Sequence, residues 1–266
     1  MSSDLVLLSH PASGVAQVTL NRPDAMNTMT PEFLVAALET LEAVADDTSV
    51  RVVILTGAGR AFCAGGDLKR GPGGDVSGEP PLASQTRRLR TYMCTSQLLR
   101  EMPKITIAAI NGACAGAGLS WACATDLRYA SSNVRFATAF RNAALSGDFG
   151  GTWLLPRIIG AGRARDFYLN SKPFDAQRAL EIGFVSAVTE PDTLMTTVLD
   201  VAVDLAAAAP EALRAIKRNL NDADEISFAD ALDREAQRHS ALAASPDATE
   251  AAAAFTQKRP PLWSTT

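Results

Sequence analysis

The sequence predicts an α/β core, residues 1–191, followed by a helical C-terminal region, residues 192–266. Three observations carry this. A strand, a glycine turn and a helix follow one another directly between Lys104 and Ala124. The run from Arg51 to Thr56 is continuously apolar and rich in β-branched residues, the pattern of a strand buried on both faces of a parallel sheet. From about Asp192 onward, apolar residues recur at helical spacing.

In chain order, Val15 to Leu20 alternates as a half-buried strand does. A helix begins near Thr30, with Pro31 at its first position, Glu32 in its first turn, and apolar residues at Phe33, Leu34, Ala37, Leu38, Leu41 and Val44. The Arg51–Thr56 strand follows. The stretch from Gly71 to Pro81 is dense in glycine and proline and reads as an irregular loop, either solvated or forming a wall beside a pocket. Lys104 to Asn111 is the next strand, Gly112 to Gly118 a small-residue segment, and Leu119 to Ala124 an apolar helix. Leu127–Ala130 and Val134–Phe136 are short strand candidates, Trp153–Ile159 lies in a helix, and Gly183–Val188 reads as one more buried strand. The final third carries helical periodicity in Leu194–Ala208, Leu213–Leu220, Phe228–Ala243 and Ala248–Phe255. Asp192 stands where an N-cap would, and Pro210 with Glu211 opens the second of these helices.

Composition narrows the function. With 47% hydrophobic and 20% charged residues, the chain can bury a sizeable core. A net charge of -4, with the basic residues scattered, gives no footprint for nucleic acid, and no apolar run approaches a membrane span. The first residues lack the basic and apolar regions of a signal peptide, so a cytoplasmic location is expected. Cys63, Cys94, Cys114 and Cys123 form no C-x-x-C pair and read as small buried residues. The sequence has only two histidines, His10 near the N-terminus and His239 in a polar helical stretch, both reading as surface residues, which argues against a histidine triad or a His-rich metal centre. Chemistry then falls to carboxylates and backbone amides.

Two glycine-containing turns offer such amides: A-F-C-A-G-G-D-L at Ala61–Leu68 and N-G-A-C-A-G-A-G-L-S at Asn111–Ser120. Neither fits a dinucleotide fingerprint, because Phe62 and Trp121 stand where the third glycine would fall, and no phosphate-binding P-loop motif occurs. Small residues let the backbone approach a ligand, and the second turn opens a helix whose N-terminus favours negative charge. Two amides facing one point would make an oxyanion hole. Tight packing of strand on helix explains the same glycines equally well.

Several segments closely resemble the enoyl-CoA hydratase/isomerase, or crotonase, family, in order along nearly the whole chain. They are N-R-P-D-A-M-N at Asn21–Asn27, the two turns above, D-L-R-Y-A at Asp126–Ala130, G-G-T-W-L-L-P-R-I-I-G at Gly150–Gly160, A-L-E-I-G-F-V-S at Ala179–Ser186 and the tail from Asp247 to Pro261. The resemblance implies a crotonase-like spiral of ββα units with a C-terminal helical trimerisation region, assembled as homotrimers or as hexamers of two trimers. It implies a coenzyme A thioester as substrate, with no metal and no further cofactor. It places the oxyanion hole at the backbone amides of Ala64 and Ala117. It assigns Arg22, Ala25, Ala61, Asp67 and Leu68 to the coenzyme A site, mostly through main chain, with Phe255 and Lys258 reaching it from a neighbouring subunit. Arg22 taken by itself reads as a surface cation.

The sequence departs from the family's hydratase pattern at both catalytic glutamates. Ser120 and Phe140 occupy those two positions. In S-G-D-F-G-G-T-W, however, Asp148 stands where other branches of the family carry their working acid, including the enoyl-CoA isomerases and an aromatic-acyl-CoA dehalogenase. Such a carboxylate needs a raised pKa over an apolar floor, for which Trp121, Phe140 and Phe149 are candidates. The alternative for Asp148 is a helix cap before Gly150 or Gly151. The expected activity is double-bond isomerisation with Asp148 moving the proton. An atypical hydratase and a non-catalytic acyl-CoA binding protein are the rivals.

Overall fold

The computed structural model describes residues 4–67 and 81–264. Strands β1 (Val6–Ala12) and β2 (Val15–Leu20) form an antiparallel hairpin, and helix α1 (Pro31–Asp46) follows. Thr30 caps α1 by accepting from the Phe33 amide, as the Thr-Pro-Glu start predicts. The chain then alternates between two sheets. Strand β3 (Val52–Gly57) joins the first and β4 (Ala61–Cys63) the second. After α2 (Leu82–Tyr92) and α3 (Cys94–Glu101), β5 (Ile105–Ile110) returns to the first sheet and β6 (Ala113–Ala115) to the second. Helix α4 (Ala117–Ala124) leads to β7 (Leu127–Ser131) in the first sheet and β8 (Arg135–Ala137) in the second. Each ββα unit thus adds one strand to each sheet, which is the expected spiral.

Helices α5 (Gly151–Ile159) and α6 (Ala161–Asn170), strand β9 (Phe174–Asp175), helix α7 (Ala176–Glu181) and strand β10 (Ala187–Thr189) complete the core. Among the described residues the first sheet runs β1-β2-β3-β5-β7-β10 and the second β4-β6-β8-β9. From β2 to β10 the first sheet is parallel.

Strand β3 shows why the layers stack as they do. Val53 and Leu55 face the main core with Phe33, Leu41 and Leu99, while Val52 and Ile54 face the opposite side. That side is covered by Leu194, Val198 and Ala202 of helix α8 (Leu194–Ala207). Helix α8 therefore packs as a layer of the core rather than as an appendage. Beyond it lie α9 (Pro210–Ala223), α10 (Phe228–Ala243) and α11 (Pro246–Gln257), the last two capped by Ser227 and Ser245. Phe228 and Phe255 on these helices are 79% and 88% exposed.

Other expectations need adjustment. The predicted strand Gly183–Val188 is real only from Ala187; the preceding residues turn back, with Gly183 at φ 75° and the Phe184 amide bonded to the Ala179 carbonyl. Asp192 caps nothing: α8 starts after Thr193, with no side-chain cap bond. Cys63, Cys114 and Cys123 are buried, whereas Cys94 is half-buried. Leu68 and the Gly71–Pro81 loop, apart from Pro81, lie outside the described residues. No helix among the described residues is long and apolar enough to cross a membrane.

Candidate active site

The first glycine turn is held from behind by Asn27. This residue is fully buried and sits in the left-handed region at φ 55°, directly after Met26 at φ 53°. Its Nδ2 donates to the carbonyls of Ala58, Ala61 and Phe62 at 3.0, 2.8 and 3.2 Å, and its Oδ1 accepts from the Arg22 amide at 2.8 Å. The N-R-P-D-A-M-N segment thereby clamps β4 to β3. Alongside it, the Met29 amide donates to the Gly65 carbonyl at 2.8 Å, and the Asp67 amide to the Met29 carbonyl at 3.1 Å.

These bonds decide which amide of the turn is free. The Ala64 amide donates to the Met26 carbonyl at 3.1 Å, so it is not available to a ligand and its expected place in the oxyanion hole must be corrected. Gly66, flanked by the two bonds to Met29, donates to no described residue, and the space where its side chain would project is open.

The second turn meets the first backbone to backbone. A methyl group on Gly65 would come 2.9 Å from the Ala115 carbonyl oxygen and 3.5 Å from the Ala117 amide nitrogen. One on Gly118 would come 2.3 Å from the Cys63 carbonyl oxygen, so only glycine lets α4 lie against β4. Gly116, at φ 53° and ψ -125°, makes the reversal into the helix. Ala117 is the first residue of α4, so its amide is among those with no partner inside the helix, at the positive end of the helix dipole.

Asp148 approaches from the loop before α5. Phe149 at φ 48° and Gly150 at φ 77° turn the chain sharply, and α5 begins at Gly151 with no side-chain cap bond. The Asp148 carboxylate is therefore not the cap; its Oδ1 is buried without any hydrogen-bond partner, and only its backbone carbonyl meets the Gly151 amide, at 3.2 Å. Burial pushes its pKa up from 3.8 to about 6. Its charge reaches Cys63 at the end of β4, adding to the burial that drives that thiol to about 12, and it also reaches the Tyr168 phenol.

Of the expected apolar floor, Trp121 and Phe149 pack edge to face at 5.9 Å, both almost fully buried. Phe140 does not join them. Its ring stacks on Tyr168 at 6.1 Å and lies 3.9 Å from the position a methyl would take on Gly116. Ser120, 1% exposed, contacts the Gly116 carbonyl at 3.4 Å and stands beside Tyr168 over Gly151. Tyr168 was not singled out from the sequence, because an aromatic within a helical run reads as core.

The expected coenzyme A residues gather only in part. Arg22 pairs with Asp67 at 3.3 Å and also donates to the Thr28 carbonyl, which brings both beside the first turn; Ala25 ends the adjacent 3-10 helix Pro23–Ala25. Ala61 is fully buried and its carbonyl is taken by Asn27, so it supports the turn and cannot touch a ligand. Phe255 and Lys258, expected to act on a neighbouring subunit, are exposed on and just after α11. Among the described residues no group of His, Cys, Asp or Glu is arranged to hold a metal ion.

Comparison with known proteins agrees with this arrangement. A family model described as "Enoyl-CoA hydratase/isomerase" matches residues 10–266. The chain is 36% identical to a 1,2-epoxyphenylacetyl-CoA isomerase of Escherichia coli, over 96% of this chain and 97% of that one. It is 38% identical to a probable enoyl-CoA hydratase of Mycobacterium leprae, over 97% and 89% of the two chains. A solved structure of a putative enoyl-CoA hydratase from Streptomyces coelicolor superposes with a TM-score of 0.92 at 33% identity, covering 98% of this chain and 94% of that one. With two glycine turns locked together, a buried carboxyl whose charge reaches Cys63 at the end of β4, and this likeness over almost its full length, the chain belongs to the enoyl-CoA hydratase/isomerase family and has its crotonase fold.

Proposed function

We propose that the protein moves a double bond along the acyl chain of an enoyl-CoA thioester, with Asp148 as the proton shuttle. The observation that carries this reading is the half-buried Asp148 carboxyl, its Oδ1 unpartnered, its pKa raised to about 6 and its charge felt by Cys63 at the end of β4 beside the first turn. At neutral pH such a group is mostly a base, yet once protonated it is acidic enough to return the proton.

In this mechanism the thioester oxygen accepts hydrogen bonds from the Ala117 and Gly66 amides, Gly66 taking the role first expected of Ala64. Asp148 removes a proton from carbon 2 of a 3-enoyl chain. The C–H electron pair forms the C1–C2 double bond, and charge collects on the thioester oxygen of the dienolate, where each amide contributes ~3 kcal/mol of stabilisation. Asp148 then delivers the same proton to carbon 4, and the 2-enoyl thioester forms as the oxyanion collapses. No atom or electron is gained or lost, so no redox cofactor is required.

A hydratase reading has its own support. Relatives described as hydratases include a 2,3-dehydroadipyl-CoA hydratase of Escherichia coli, 34% identical over 93% of this chain. The deciding experiment is turnover of 2-enoyl- and 3-enoyl-CoA panels by the native protein and Asp148→Asn, with products separated by mass. Unchanged mass with a moved double bond, lost in the variant, is the expected result. Gain of one water that survives Asp148→Asn would overturn the mechanism.

Assembly as a trimer or a pair of trimers is part of the same reading, supported by the exposed Ile216, Leu220, Phe228 and Phe255 on α9 to α11. Sedimentation equilibrium tests it, and a monomer at micromolar concentration would refute it.

A further inference from the structure

The proton-transfer mechanism leaves Ser120 and Tyr168 without a task. Their oxygens stand together over Gly151, where a methyl group would meet Ser120 Oγ at 2.3 Å and Tyr168 Oη at 2.5 Å. Any side chain at 151 would force the pair away, so the glycine that opens α5 is also what seats two hydroxyls side by side. On one flank the Tyr168 ring is stacked on Phe140, whose edge reaches Gly116 in the second turn. On the other flank Tyr168 Cε1 lies 3.9 Å from the position a methyl would take on Gly147, next to Asp148. The pair thus bridges the oxyanion turn and the carboxyl.

Burial raises the phenol pKa, Cys123 and Asp148 add to it and a hydrogen bond with Ser120 opposes it in part, so Tyr168 stays protonated and acts as a neutral donor rather than a base. Nearby, Phe140 offers only its ring, while the buried Trp121 Nε1–H and Asp148 Oδ1 have no hydrogen-bond partner among the described residues. Ser120 Oγ donates to the Gly116 carbonyl at 3.4 Å and also bonds the Tyr168 hydroxyl, so Ser120 holds the phenol in place. A plain hydrocarbon chain pressed against Tyr168 Oη would strip it of water and return nothing, whereas an oxygen on the chain would accept from it.

We infer that Ser120 and Tyr168 form a hydrogen-bonding subsite that selects acyl-CoA thioesters carrying an oxygen on the acyl chain close to the reacting carbons. This rests on reading the site as an acyl-CoA site. Within it, Tyr168 is a positioning residue for substrate, separate from the proton transfer at Asp148.

The test is calorimetric binding of three saturated thioesters that the proposed isomerisation cannot consume. They are hexanoyl-CoA and two isosteres with an ether oxygen in the chain, propoxyacetyl-CoA at the third position and 4-methoxybutanoyl-CoA at the fifth. The native protein is expected to prefer at least one ether about tenfold over hexanoyl-CoA, equivalent to ~1.4 kcal/mol. Tyr168→Phe and Ser120→Ala should each bring that ratio close to one while leaving hexanoyl-CoA binding unchanged or tighter. A general packing defect would weaken all three ligands alike. A native ratio near one, or a preference that survives both substitutions, overturns the inference. Binding of none of the thioesters would sink the acyl-CoA reading and this subsite with it. A preference without turnover of any enoyl-CoA would keep the subsite and reject the isomerase.

Discussion

Replacing Asp148 by Asn should make the protein more stable at neutral pH and at the same time inactive. The carboxyl is half-buried with Oδ1 unpartnered, and its pKa rises from 3.8 to about 6. The folded protein therefore binds this proton more tightly than the unfolded chain does. Below pH ~4 the group is neutral in both states and costs nothing. As pH climbs from about 4 to about 6 the unfolded chain ionises first, and stability falls; above pH ~6 the whole penalty is present. Roughly two pKa units correspond to ~3 kcal/mol, which partial solvent screening at a half-buried site reduces to about 1–2 kcal/mol. Urea unfolding of the native protein, Asp148→Asn and Asp148→Ala between pH 4 and 8, at fixed protein concentration, measures the difference directly. Both variants should gain stability over the native protein as pH rises through 4–6 and hold the gain above it. A helix cap would behave the opposite way, with Asp148→Ala losing about 1 kcal/mol at neutral pH. That loss, or a difference indifferent to pH, would refute the account of this carboxyl. The accompanying fall in turnover should be 10²–10⁴-fold, the usual worth of a positioned acid–base group.

Three further outcomes are expected. The kcat/KM of the native protein for a 3-enoyl-CoA should rise with pH through about 6 and then level, because the base form of Asp148 is the one that begins the reaction; a flat profile from pH 5 to 8 would remove Asp148 as that base. Gly65→Ala, at φ 91° and with its methyl 2.9 Å from the Ala115 carbonyl oxygen, should push the two turns apart and lower kcat by about 10²-fold, measured beside a thermal melt that shows the protein still folded. Lys217→Met removes a buried ammonium that bonds Asp126 at 2.8 Å and the Lys104 carbonyl at 2.8 Å, and should cost ~3–5 kcal/mol in urea unfolding, partly restored by adding Asp126→Asn.

What could be read from the sequence, and what could not, divides along a physical line. Elements long enough to show a period, such as β2 and helix α1, were legible because burial of one face dictates their pattern, and β5 because burial on both faces leaves a continuous apolar run. Strands β4, β6 and β9 have two or three residues each, too few for any period, and exist only because the partner strand supplies their hydrogen bonds. The same limit explains the misplaced amide. Small residues located both turns correctly, but what separates Ala64 from Gly66 is that the carbonyl of Met26, far back in the chain, takes the Ala64 amide, while that of Met29 takes the Asp67 amide and passes Gly66 by. Tyr168 likewise acquires its place beside Ser120 only after α6 folds over Gly151.

Helix α8 is the instructive intermediate case. The continuous apolar run of β3 already implied burial on both faces, and α1 with α3 can cover just one of them. The sequence therefore demanded a second covering layer somewhere in the chain. Several C-terminal helices had a suitable apolar stripe, and none of their patterns tells which surface it meets. Val198 and Ala202 against Val52 and Ile54 answer that, and they make the first helix of the C-terminal region part of the structure that supports the site. A substitution of Val198 should accordingly disturb the parallel sheet from which both glycine turns spring, although it lies on the face away from the chemistry.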